Sequence, residues 1–160
     1  MPNLKIRRAE KSDFEAWREL KEIIQNEHHF HNPDYFVPYK EKELEFIFKE
    51  TLSDKSLSLC IALLENTIVG YMLLTCLDTR DELGSPGFST LRVLEICVHP
   101  QSRHQGIGRT MMDEAIMISK QLECRDITLT VWQTNSMAKE FYLNYGFQTI
   151  TERMRLKITN

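Results

Sequence analysis

The stretch Val98-His99-Pro100-Gln101-Ser102-Arg103-His104-Gln105-Gly106-Ile107-Gly108-Arg109 joins two apolar runs through a turn that carries two glycines. The run before it, Leu91 to Val98, is predicted to be a strand that ends at Pro100. The run after it places Ile107, Met111, Ala115, Ile118 and Leu122 on one helical face, with Arg109, Asp113, Glu114 and Lys120 elsewhere. Amides in the first turn of a helix have no acceptor within it, and the helix dipole adds about half a positive charge there. Glycines let the chain turn tightly and let a bulky anion come close. The turn therefore suits a pyrophosphate held by main-chain donors, with Arg103 and Arg109 adding charge. It is not the GxxxxGK[ST] of a P-loop, and it comes too late in the chain for the GxGxxG of a first βαβ unit. Taken alone, such a turn is equally consistent with a purely structural role.

Outward from this turn, toward the N-terminus, Leu4 and Ile6 begin a short strand. Ser12 or Asp13 then caps a helix with the stripe Phe14, Trp17, Leu20 and Ile24, predicted to end near Glu27. His28 to Asp34 is expected to be non-helical because of Pro33. Leu44, Ile47, Phe48 and Leu52 mark a second helix over Glu41 to Leu52. Leu57 to Leu64 and Thr67 to Leu77 have hairpin spacing around Glu65-Asn66. Thr79 to Ser89 reads as a loop, with Asp78, Asp81 and Glu82 as solvated charges.

Toward the C-terminus, Ile127 to Trp132 is predicted as a strand and Ser136 to Tyr145 as a helix closed by Gly146. Phe147 to Ile158 is expected to return as one long strand, whose edge favours pairing with a second copy and hence a homodimer. The order β-α-α-β-β-β-α-β-α-β defines an α/β fold, expected as one domain over residues 1–160.

Composition narrows the function classes. At 42% hydrophobic and 27% charged, the 160 residues are those of an ordinary soluble domain that can bury a core unaided. A net charge of −3 provides no basic field, so neither nucleic acid nor an anionic membrane is expected as partner. Cys60, Cys76, Cys97 and Cys124 form no CxxC pair, so no metal or redox motif is indicated and all are expected as reduced, buried thiols. His28-His29-x-His31 is expected to line an entrance rather than to hold a metal. There is no apolar leader region and no run long enough to span a membrane, so a cytoplasmic location is expected.

A second stretch narrows the reading of the first. In Asn135-Ser136-Met137-Ala138-Lys139-Glu140-Phe141-Tyr142-Leu143-Asn144-Tyr145-Gly146-Phe147, Asn135 and Tyr142 stand seven residues apart, on one helix face about 10 Å apart along the axis. Ala138 lies between them and keeps that face shallow, which suits a long thin ligand. Tyr142 could equally pack into the core with its hydroxyl at the edge.

Together, Arg103-x-x-Gly106-x-Gly108 and Asn135-x-x-Ala138-x-x-Phe141-Tyr142-x-x-x-Gly146-Phe147 resemble the two signatures of the GNAT N-acetyltransferases, in the family's order and separation. The resemblance implies a mixed, mostly antiparallel sheet of six or seven strands flanked by about four helices, and acetyl-CoA as cosubstrate. Residues 20 to 55, the acceptor half, carry no usable resemblance. By similarity, Ile96, Cys97 and Val98 would offer main-chain groups to the pantetheine, while Arg103, His104, Gln105, Gly106, Ile107, Gly108 and Arg109 hold the pyrophosphate. Asn135 would bond the pantetheine, and Tyr142 would protonate the departing thiolate. Many relatives have glycine where this chain has His104, so a less extreme backbone is expected there.

An amine acceptor, small molecule or peptide, must lose a proton before it attacks. For a lysine-type amine at pH 7 this costs about 4.6 kcal/mol. Glu95, the only carboxylate between Leu91 and Val98, is the candidate base. Strand alternation alone could turn it to the wrong face, and a bulge would reverse that. A domain that binds acetyl-CoA without turnover is the alternative reading.

Overall fold

The computed structural model describes residues 3–80, 82–84 and 86–158. Its elements are β1 (Leu4–Arg8), α1 (Phe14–His31), α2 (Glu41–Ser53), β2 (Leu57–Leu64), β3 (Thr67–Asp78), β4 (Ser89–Val98), α3 (Ile107–Gln121), β5 (Asp126–Leu129) and α4 (Ser136–Tyr145). They fall into two compact units, Met1–Thr130 with the sheet and three helices, and Val131–Asn160 with α4.

In the first unit the sheet order is β1-β2-β3-β4-β5, antiparallel through β4 and parallel between β4 and β5. The apolar runs of β2 and β3 are continuous because both their faces are covered. On one face α1 and α2 supply Trp17, Leu20, Leu44 and Phe48, which pack with Leu59, Ile61, Tyr71 and Cys97. On the other, α3 buries Ile107, Met111, Met112 and Ala115. Glu65 and Asn66 both adopt left-handed backbone (φ 50° and 70°), the twist that a two-residue hairpin needs. At the entry to α1, Asp13 is 4% exposed, and both its oxygens bond the Arg7 guanidinium at 2.7 and 2.8 Å.

Three expectations are corrected. Helix α1 continues past Glu27 to His31, because Pro33 restricts only the residue before it, Asn32, where the helix is capped. Strand β5 stops at Leu129 rather than Trp132. Phe147 to Ile158 has no regular structure, and its apolar residues Ile150, Met154, Leu156 and Ile158 are exposed. The described residues therefore contain five strands, not six or seven, and the order lacks its final strand. Asp81, one of the expected loop charges, lies outside the described residues. No described helix is long and apolar enough to cross a membrane.

Two outcomes test this packing. A Cβ at Gly70 would stand 2.6 Å from the Cys97 carbonyl oxygen. Gly70→Ala must then push β3 from β4 and cost about 1–3 kcal/mol, read as a lower urea midpoint. The Arg7 hydrogen bond, against the penalty of burial, holds the Asp13 carboxyl below its ordinary value. A lowered folded pKa means the pair contributes its full stability above pH about 4 and loses it as pH falls through the folded value. Asp13→Asn should therefore flatten the acid limb of stability, followed by circular dichroism between pH 5 and pH 2.

Candidate active site

Strand β4 carries one residue more than its neighbour can match. Leu73 faces Glu95 and Leu74 faces Val93, so Leu94 is a bulge without a partner on β3. Beyond the bulge the alternation is reversed. Val93 shares a face with Leu74, whereas Glu95 and Cys97 share the opposite one with Leu73 and Tyr71, under α1 and α2. The bulge thus brings Glu95 to the face where α1 lies.

There Glu95 meets Lys21 of α1, whose side chain is 7% exposed, in an ion pair through Oε1. The Tyr71 hydroxyl donates to Oε2 at 2.7 Å. Burial, and then the Glu95 charge, push the Tyr71 phenol well above its ordinary value, so it remains a donor. The Lys21 ammonium also sits 5.5 Å from the centre of the Tyr39 ring. Farther along α1, Gln25 donates to the Val37 carbonyl at 2.6 Å, and His28 stacks on Phe36 with ring centres 4.7 Å apart. Burial lowers the His28 pKa, opposed by Glu95, and the ring is neutral at pH 7. His29 Nδ1 donates to the Phe36 carbonyl at 2.6 Å. The histidines thus fix the chain after α1, and the described residues contain no group of acids, cysteines and histidines arranged for a metal.

Among the described residues of the first unit, no strand pairs the other edge of β4 beyond Val93, where the bulge begins. Pairing with β5 covers Thr90 to Val93 only. The His99 amide donates to Val69 at 2.8 Å, and ladder bonds recur at alternate residues. Glu95 and Cys97 therefore turn their main-chain groups to β3, while Ile96 and Val98 turn theirs to the open edge. Of the three residues expected to meet pantetheine, Ile96 and Val98 turn their main-chain groups to that edge, where the Val98 carbonyl already accepts a bond from Arg103, and Cys97 does not. The Cys97 thiol is buried, pushed up to about 12 by that burial, and points to the Leu20 carbonyl.

This edge leads into the glycine turn. Gly106 precedes α3 with φ 80°, and the amides of Ile107 and Gly108 fall in the first turn. His104 also adopts left-handed backbone, φ 62°, so the expectation of a less extreme conformation is overturned: the turn imposes it despite the side chain. Arg103 is engaged inside the protein. Its Nε donates to the Val98 carbonyl at 3.0 Å, and its guanidinium pairs with Glu27 at 2.7 Å. Gln105 donates to the Gln101 carbonyl, and Arg109 is exposed on the first turn of α3.

In the second unit, the Asn135 side chain accepts the Ala138 amide at 3.0 Å and caps α4. The cap uses one of the two lone pairs of that oxygen. Gly146, at φ 117°, closes the helix, with the Phe147 amide returning to the Tyr142 carbonyl. The Tyr142 ring packs between Phe141 and Phe147, and burial pushes its phenol up to about 12.

Sequence reasoning missed Lys21, Tyr71 and Tyr39. Lys21 had a readable signal, a cation four residues after Trp17 on the apolar stripe of α1. For Tyr71 and Tyr39 no local signal exists.

The acetyltransferase (GNAT) family profile matches residues 17–147. The chain belongs to this family, and its class is that of the N-acetyltransferases. Solved structures share the fold. A tetramutant of the BH1408 protein from Bacillus halodurans is 22% identical, with a TM-score of 0.88 over 96% of this chain and 99% of that one. The aminoglycoside N-acetyltransferase AAC(6')-Iy, in complex with CoA, is 18% identical, with a TM-score of 0.75 over 99% and 96%. The aminoglycoside acetyltransferase meta-AAC0020 from an uncultured soil metagenomic sample, in complex with sisomicin, is 19% identical, with a TM-score of 0.67 over 98% and 96%.

The Lys21–Glu95 pair makes the next expected outcome. Lys21→Met leaves a largely buried carboxylate without its cation and should cost about 2 kcal/mol, less than for a fully buried pair because Glu95 is partly exposed. Adding Glu95→Gln should restore part of that loss in a urea double-mutant cycle.

Proposed function

We propose that this protein transfers the acetyl group of acetyl-CoA to a primary amine by direct attack on the thioester. The observation that carries the reading is the open edge of β4 at Ile96 and Val98, which runs into the amide-rich start of α3. Pantetheine amides would pair with the edge as an added strand does, and the pyrophosphate would take the Ile107 and Gly108 amides. Arg103, which also pairs with Glu27, and the exposed Arg109 both add positive charge beside this turn.

In the proposed chemistry Glu95 takes the proton of the amine. Both its oxygens already accept a bond, yet a carboxylate offers about four acceptor positions, so lone pairs remain. The neutral amine attacks the carbonyl, and an amide on the open edge stabilises the oxyanion. Tyr142, fully protonated at neutral pH with its phenol near 12, delivers a proton to the leaving thiolate.

The acceptor side supports a monocationic amine with an apolar body. A groove of about 510 Å³ is lined by Val37, Pro38, Tyr39, Phe46 and Ile47, with Lys42 and Glu43 cancelling in charge. Tyr39 belongs both to this groove and to the surroundings of Lys21. A polycation such as an aminoglycoside would need more acid than the groove provides.

The decisive experiment follows CoA thiol release from acetyl-CoA with phenylethylamine and with spermidine. Faster release with phenylethylamine is expected; release with neither, despite CoA binding, would make the protein a sensor. Tyr142→Phe should bind CoA normally and lower kcat about 100-fold, with kcat/KM falling in parallel. Glu95→Gln should lose most at low pH and least where the amine deprotonates by itself.

A further inference from the structure

Two of the four cysteines are not buried as expected. Cys60 and Cys97 are, but Cys76 is exposed and Cys124 partly so. Although 48 positions apart, Cys76 and Cys124 place their sulfurs 3.6 Å from each other. Cys76 lies on β3 opposite Leu91 of β4, and Cys124 in the turn between α3 and β5. That turn is held in place, since the Cys124 amide donates to Ser119 at 2.9 Å and the next amide, Arg125, donates to Ser89 at 2.8 Å. Sulfurs in a disulfide are about 2.05 Å apart, so bonding needs an approach of about 1.5 Å, within reach of side-chain rotation. The chemistry proposed above uses neither thiol.

We propose that Cys76 and Cys124 are a redox-reactive pair that closes into an intramolecular disulfide by exchange with a small-molecule disulfide. The exposed Cys76 thiolate attacks one sulfur of the oxidant, forming a mixed disulfide and expelling one small thiolate. The Cys124 thiolate then attacks the Cys76 sulfur and expels the second. Two protein thiols are oxidised, one small disulfide is reduced to two thiols, and the departing thiolates take up the two protons. Burial first, and Cys76 second, push the Cys124 thiol up to about 11. The second influence vanishes once Cys76 is capped, and the greater exposure of Cys76 makes it the first to meet the oxidant. The bond closes a loop that contains β4, the glycine turn and α3. It restricts the unfolded chain and should raise the melting temperature.

The test treats the full chain with oxidised glutathione, quenches by alkylation and measures intact mass. Expected are the loss of two hydrogens, alkylation after unfolding at Cys60 and Cys97 only, a higher melting temperature, and reversal by dithiothreitol. Cys124→Ser should instead retain glutathione on Cys76, and Cys76→Ser should stay unmodified. A wild-type chain that keeps four alkylatable thiols, or stops at the mixed disulfide, would overturn the proposal.

Discussion

Leu94 has no partner on β3, and this surplus residue decides which way the rest of β4 faces. Without it, Glu95 would continue the alternation of Leu91 and Val93 and turn away from α1. With it, the carboxylate comes under α1, where Lys21 and Tyr71 both reach it. The bulge is confined to β4, while β3 runs on in register on either side. The position of the candidate base is therefore a property of two strands together.

The same region shows why the sheet stops where it does. Strand β5 matches four residues of β4 and ends next to the bulge. Local twist at a bulge separates strands, and the two features fall at the same level. Arg103 then ties the far end of β4 to α1, through the Val98 carbonyl and Glu27. This arginine, prominent in the motif, also ties the turn to the rest of the first unit.

How much of this was legible depended on how local each signal is. The β2–β3 hairpin and the bounds of α4 follow from short-range chemistry, the left-handed pair Glu65-Asn66 and the caps Asn135 and Gly146, so sequence located both. Phe147 to Ile158 was expected as one long strand, yet the segment is irregular. The facing of Glu95 depended on register, which no window of one strand contains. Cys76 and Cys124 come together across 48 positions and looked like any buried thiols in sequence. The turn at Gly106 was readable as an anion site, yet the partner of Arg103 was not, because Glu27 lies on a different element.

The open edge of β4 also bears on how this sequence can drift. The groups that Ile96 and Val98 turn outward belong to the main chain, and every residue type but one carries them. Replacement of either by another apolar residue leaves the same donors and acceptors in the same places. Proline alone removes an N–H and fixes φ. Selection on this edge would thus act on shape and on the exclusion of proline, and relatives can differ at these positions while presenting an identical row of hydrogen-bonding groups.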